Sequence, residues 1–220
     1  MPKTEFDLIV FDWDGTLMDS TPTITRCIQA ACRDLDLPVP ADEVASYVIG
    51  LGLRDALQTA APTLDPSQYP RLSERYRFHY LLSGNETVLF SGVREMLAEL
   101  RERGRFLAVA TGKSRVGLNR ALEAAGLLGT FDATRCADET FSKPHPAMLQ
   151  EIGRELGQDL SRTVMIGDTT HDLQMAANAG AAGVAVAYGG AHSLEALRAL
   201  GPSYCAQSVD ELRAWLLERV

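Results

Sequence analysis

Phe6-Asp7-Leu8-Ile9-Val10-Phe11-Asp12-Trp13-Asp14-Gly15-Thr16 is the stretch on which the fold turns. The run is apolar through Phe11 and then meets two carboxylates and a glycine. Near-continuous hydrophobicity of this length predicts a strand covered on both faces, which is the situation in a parallel sheet. Similar runs recur at Arg105 to Ala110, Thr163 to Ile166 and Gly183 to Tyr188, each followed by Gly or Asp. Between them the apolar spacing predicts helices over Val93 to Arg103, Arg115 to Ala125, a segment opened by Pro146, Thr170 to Ala179, Ser193 to Leu200 and Val209 to Leu217. Strands alternating with helices imply an α/β fold with a doubly wound, Rossmann-like parallel sheet.

The stretch from about Pro22 to Leu82 breaks this rhythm, with helical patterns and proline-rich turns but no buried strand. It reads as an inserted helical cap over residues 19–85, leaving 1–18 and 86–220 as the α/β core. The joints fall near Met18 to Thr21 and Ser83 to Phe90, where Gly84, Asn85 and Gly92 favour turns.

At 220 residues, 46% hydrophobic and 23% charged, the chain can bury a substantial core and carries no signature of disorder. A formal charge of −8 with scattered Lys and Arg argues against a nucleic-acid partner, since phosphate-backbone binders cluster basic residues. The same negative field opposes an anionic substrate, so a bound cation must reverse it locally. Cys27, Cys32, Cys136 and Cys205 have no zinc or redox spacing and read as reduced, packed thiols. Met1-Pro2-Lys3-Thr4 lacks a signal-peptide layout and no apolar stretch is long enough to span a bilayer, so a cytoplasmic protein with no membrane partner is expected.

Four places carry chemistry. Asp12 and Asp14 are two apart at a strand end and can face one pocket. Two carboxylates about 4 Å apart repel by roughly 4 kcal/mol at an effective dielectric of about 20. A cation or a shared proton must compensate; the plain structural alternative is an Asp-Gly turn. Asp168 ends a second apolar run, and Asp172, four residues on, can return to the same rim from a first helical turn. Here the bland alternative is that Asp168 merely caps the helix. Thr111-Gly112 ends another strand with a hydroxyl and a residue that lets backbone N–H groups approach an anion; on its own this is an ordinary turn. Lys113 beside it resembles a phosphate-loop lysine only superficially, because that loop's glycine spacing is missing. Lys143, held between Ser142 and two prolines, suits charge stabilisation of a phosphoryl group.

Taken together, Asp12-Trp13-Asp14-Gly15-Thr16, Thr111, Lys143-Pro144 and Gly167-Asp168 with Asp172 resemble the four ordered signatures of the haloacid-dehalogenase superfamily. The insertion resembles the helical cap of its phosphoglycolate phosphatase and β-phosphoglucomutase branch. The resemblance implies that Asp12 is a nucleophile and Asp14 the acid, then base. It implies that Thr111, Gly112 and Lys143 bind the phosphoryl group. It also implies that Asp12, the Asp14 main-chain carbonyl and Asp168 ligate Mg2+, with Asp172 supporting them, a donor set of the oxygen kind that magnesium prefers. Gly50-Leu51-Gly52-Leu53-Arg54 resembles a substrate-specificity loop, in which Arg54 would contact an acidic substrate. Trp13 stands where relatives often carry Phe or Met, and Gly112 where many carry Asn.

The expected activity is hydrolysis of a small phosphorylated metabolite, with 2-phosphoglycolate as the leading substrate. The alternatives are a phosphomutase using the same aspartyl phosphate and a non-catalytic binding protein on this fold. Tyr69, Tyr76, Phe78 and Tyr80 read as cap packing, and His79, His145, His171 and His192 share no metal-ligand spacing and read as non-catalytic.

Overall fold

The computed structural model describes residues 5–83 and 88–220. The expectations for Met1 to Thr4 and for Gly84 and Asn85 lie outside those residues. The chain runs β1 (Leu8–Phe11), β2 (Met18–Asp19), α1 (Thr21–Arg33), α2 (Asp42–Tyr47), α3 (Leu53–Ala60), α4 (Tyr69–Leu82), β3 (Val88–Leu89), α5 (Val93–Glu102) and β4 (Phe106–Thr111). It continues through α6 (Arg115–Ala124), β5 (Ala133–Cys136), α7 (Ala147–Leu156), β6 (Thr163–Gly167), α8 (Thr170–Ala179), β7 (Ala182–Val186), α9 (Leu194–Ala199), β8 (Tyr204–Ala206) and α10 (Val209–Leu217).

Six strands form one sheet in the order β5-β4-β1-β6-β7-β8, every pair parallel. The side-chain period of two divides its apolar residues between two layers. Ile9, Phe11, Leu107, Val109, Val164 and Ile166 pack with residues of α5, α6 and α10 on one face. Leu8, Val10, Ala108, Ala110 and Met165 pack with α7 and α8 on the other. This is the doubly wound α/β sheet that the apolar runs predict. Trp13, bulky beside the reactive carboxylates, is fully buried in the first layer and meets Phe131 edge-on at 6.5 Å, so it fills core rather than pocket.

The first and last of the expected strands are shorter than their apolar runs, β4 is displaced by one residue and β6 extends to Gly167, and β5 and β8 join them at the two sheet edges. The insertion follows β1: α1 to α4 bury Ile24, Ile28, Leu57, Tyr69 and Leu72 in a second cluster, which Ala191 joins from the core. At its root, β2 and β3 pair antiparallel, Met18 with Leu89 and Asp19 with Val88. Tyr76 and Tyr80 pack on the insertion's cluster, whereas Phe78 faces solvent at 46% exposure beneath the Arg75 guanidinium. No helix among the described residues is long and apolar enough to cross a membrane.

Candidate active site

Phe11 pairs with both Val109 and Ile166, so Asp12, Thr111 and Asp168 leave three neighbouring parallel strands at one rim. Asp12 and Asp168 are fully buried, as is Asp172 in the first turn of α8. One carboxylate oxygen from each of the three lies within 4.8 Å of the others. Lys143, itself buried, reaches into the group from the loop before α7, its Nζ 2.8 Å from Asp12 Oδ1 and 2.7 Å from Asp172 Oδ1. The Lys143-Pro144 peptide bond is cis.

Asp168 does not cap α8. Thr169 does, accepting from the Asp172 N–H, while Asp172 Oδ2 accepts from the Thr169 N–H at 3.1 Å and its hydroxyl at 2.6 Å. This reciprocal capping box satisfies the helix end without Asp168 and fixes the Asp172 carboxylate. Asp168 Oδ1 is 3.5 Å from the Thr16 hydroxyl, and Asp168 Oδ2 and Asp12 Oδ2 find no hydrogen-bond partner among the described residues.

Three buried carboxylates thus face one ammonium. Burial pushes the Asp12 carboxyl up to about 7, with Lys143 opposing and Asp172 adding to the rise. Burial and then the charge of Asp12 raise Asp168 well above the ordinary carboxylate range. Orphaned, desolvated oxygens gathered from three carboxylates are the donor set of a hard divalent cation, whose charge would let them ionise together.

Glycines shape this cradle. A Cβ on Gly15, whose φ is +76°, would fall 2.1 Å from Asp168 Oδ2, and one on Gly167 would fall 2.2 Å from the Asp172 carboxylate. Gly189, absent from the sequence reading, is as constrained, since a Cβ there would fall 2.0 Å from the Gly15 carbonyl oxygen and 2.6 Å from Asp168 Oδ2. The dipeptide Gly189-Gly190 just beyond an apolar strand was the available signal for it.

Asp14 stands apart from this group. Its Oδ1 accepts from the Ser20 hydroxyl at 2.6 Å and lies 3.0 Å from Lys113 Nζ. Lys113 Nζ is also 2.9 Å from the Tyr80 hydroxyl of α4 and 4.7 Å from the centre of its ring. Asp14 and the two tyrosines Tyr80 and Tyr76 keep this desolvated ammonium protonated against the opposing effect of burial. Sequence reading passed over Ser20 and weighed Lys113 only as a phosphate-loop lysine.

Thr111 is fully buried, and its Oγ accepts from the Lys113 N–H at 3.2 Å. Gly112 has a specific reason to lack a side chain, since a Cβ there would meet the carbonyl oxygens of Leu51 at 2.3 Å and Gly50 at 2.7 Å. The insertion's Gly50 to Gly52 loop therefore lies directly on the end of β4. The Gly52 N–H donates to Ser142 Oγ at 2.8 Å, one residue from Lys143. Arg54 is exposed in the first turn of α3, and among the described residues no hydrogen bond or ion pair ties it to the acidic group. His171 and His192 both reach the Tyr47 carbonyl, at 3.1 and 2.9 Å, joining core to insertion. The Thr170 N–H donates to His192 Nδ1, so Nε2 carries the proton given to Tyr47.

The sequence profile of the haloacid dehalogenase-like hydrolases matches residues 9–186. The "Probable phosphatase IndB" of Dickeya dadantii is 36% identical over 93% of this chain and 91% of its own length. A phosphoglycolate phosphatase of Caulobacter vibrioides is 35% identical over 82% of this chain and 79% of its own. Among solved structures, a predicted phosphoglycolate phosphatase from Haemophilus somnus superposes with a TM-score of 0.84 at 28% identity, covering 98% of each chain.

Proposed function

The chain belongs to the haloacid dehalogenase-like hydrolase family, and from that premise we propose that it is a magnesium-dependent phosphatase that cleaves a small phosphomonoester through an aspartyl phosphate on Asp12. 2-Phosphoglycolate is the substrate we put first, because relatives matched over most of this chain carry that activity in their names. The observation that carries the reading is the separation of two chemistries at one rim. Asp12 sits in the acidic, desolvated group with Lys143, while Asp14, two residues on, is held in a separate hydrogen-bonded setting by Ser20 and Lys113.

In the proposed reaction a carboxylate oxygen of Asp12 forms a bond to phosphorus while the bond to the ester oxygen breaks, and Asp14 delivers a proton to the departing alcohol. Asp14 then takes a proton from water, whose oxygen attacks phosphorus and breaks the Asp12 acyl-phosphate bond, releasing inorganic phosphate. Lys143 neutralises the phosphoryl oxygens and reduces their repulsion with Asp12, while Thr111 and Gly112 offer a hydroxyl and backbone beside them. Mg2+ would be held by Asp12, Asp168 and the Asp14 main-chain carbonyl, with Asp172 kept in place by its capping box, and would supply charge stabilisation to the transferring group. The insertion over residues 19–85 acts as the cap that excludes water when its Gly50 to Gly52 loop lies on the rim.

The test is phosphate release from a panel of small phosphate esters, with and without magnesium, by the parent and Asp12→Asn. Turnover that needs both magnesium and Asp12 is the expected result; equal release by the two proteins would reject the nucleophile.

A further inference from the structure

We propose that Lys113, presented by Tyr80, is the specificity-determining cation that binds a negatively charged group on the departing alcohol, so that the enzyme selects phosphate esters of short hydroxy acids. This rests on the phosphatase reading above and names the part of the substrate that the reading leaves open.

The geometry begins at Asp14. An acid that protonates the ester oxygen must come within about 3 Å of it. Lys113 Nζ is 3.0 Å from Asp14 Oδ1, so the ammonium lies on the leaving-group side of the scissile bond. A carboxylate one carbon beyond that oxygen would be carried toward the same ammonium, where it could accept a charge-assisted hydrogen bond. Lys143 cannot serve this purpose, because it lies between Asp12 and Asp172 on the phosphoryl side.

Lys113 is also built in. Its side chain is only 10% exposed, its backbone N–H is tied to Thr111 Oγ, and its head group is held by the Tyr80 hydroxyl at 2.9 Å and by the face of the same ring. Tyr76 stacks on Tyr80 at 5.9 Å between ring centres and keeps that ring in place. An ammonium fixed in a poorly solvated site discriminates strongly, because a neutral leaving group would leave it without its second anion. Since Tyr80 belongs to α4 of the insertion, the cation is completed only when insertion and core meet.

The experiment compares kcat/KM for 2-phosphoglycolate and ethyl phosphate, which share a phosphoryl group and differ in leaving-group charge, using the magnesium-loaded full chain. The parent should favour 2-phosphoglycolate. Lys113→Met should slow both esters, since Asp14 loses a partner, and should lower the ratio by about 10- to 100-fold. Lys113→Arg should restore most of the ratio, and Tyr80→Phe should lower it by about threefold. Lys113→Gln repeats the test should the methionine variant not fold. A ratio that stays constant while both rates fall would show that Lys113 serves Asp14 alone and would overturn the proposal, as would a ratio that follows Arg54→Ala instead. A parent that releases phosphate from no ester of the panel would overturn the phosphatase reading together with this one, whereas hydrolysis of both esters with an unmoved ratio overturns only this one.

Discussion

Two lysines, 30 residues apart in sequence, the buried Lys143 and the half-buried Lys113, face carboxylates at the same rim, and their surroundings differ in charge balance. Lys143 stands among Asp12, Asp168 and Asp172, all from the core and all fully buried, so negative charge is in excess. The Lys113 ammonium has Asp14 as its carboxylate partner and is otherwise met by the neutral hydroxyl and ring of Tyr80 from the insertion. The first group is short of positive charge and suits a divalent cation. The second is balanced at rest, and its ammonium can be shared with an anion that enters beside Asp14. Equal numbers of lysines thus do different work because the number of carboxylates around each differs.

The largest effect that would break this contrast is on Lys143. Lys143→Met leaves Asp12 and Asp172 buried without their ammonium and should cost about 3–5 kcal/mol, read as a fall in the urea midpoint under chelator at neutral pH. Phosphate release should vanish with it. An unchanged midpoint would mean that the three carboxylates do not repel as their burial implies. Lys113→Met removes one pair at a site with an insertion-side partner, and a smaller loss of about 1–2 kcal/mol is expected in the same titration. If the two variants lose equal stability, the difference in charge balance has no energetic meaning.

Proton linkage sharpens the contrast further. The folded-state Asp12 carboxyl is raised from 3.8 to about 7, so the folded protein binds the proton more tightly than the unfolded chain. The contribution of Asp12 to the stability of the magnesium-free protein should therefore be fully present below 3.8 and be lost as pH rises through about 7, with Asp168 acting in the same direction. Magnesium should raise the thermal midpoint more at pH near 7.5 than near 5, since the carboxylates must be ionised to hold it. A magnesium effect equal at both pH values would place the ion elsewhere. The smallest expected effect is at Gly112. Gly112→Ala must push back the Leu51 carbonyl that would lie 2.3 Å from its Cβ, lowering kcat/KM by about tenfold while the far-ultraviolet spectrum stays native. Full activity in that variant would show that the loop does not need to lie on β4 during turnover.

How far these features were legible follows from which forces placed them. β1, β4, β6 and β7 are covered on both faces or nearly so, and continuous apolar runs mark them in the sequence. β5 and β8 are edge strands. The half-buried Thr134 and Arg135 in β5, and Tyr204 and Cys205 in β8, give no such run. β2 and β3 are two residues each and exist only because the ends of the insertion meet. The acidic residues were legible because each follows a strand or opens a helix, positions that local spacing reveals. Lys113 was not, because its meaning comes from Asp14 and Tyr80, the latter 33 residues away on a helix whose tyrosines read as packing alone. Arg54 shows the converse: a loop pattern singled it out, and the fold leaves it exposed.

The central claim is that Asp12 takes the phosphoryl group, and Asp14→Asn offers the most direct view of it. With p-nitrophenyl phosphate the departing phenolate needs little protonation, whereas hydrolysis of the aspartyl phosphate still needs a base, so the intermediate should accumulate. Mass spectrometry of the quenched protein should show one added phosphoryl group on the peptide containing Asp12, missing when Asp12→Asn is combined with Asp14→Asn. Nitrophenol release with no phosphoryl mass on Asp12, or with that mass on another residue, would contradict the account.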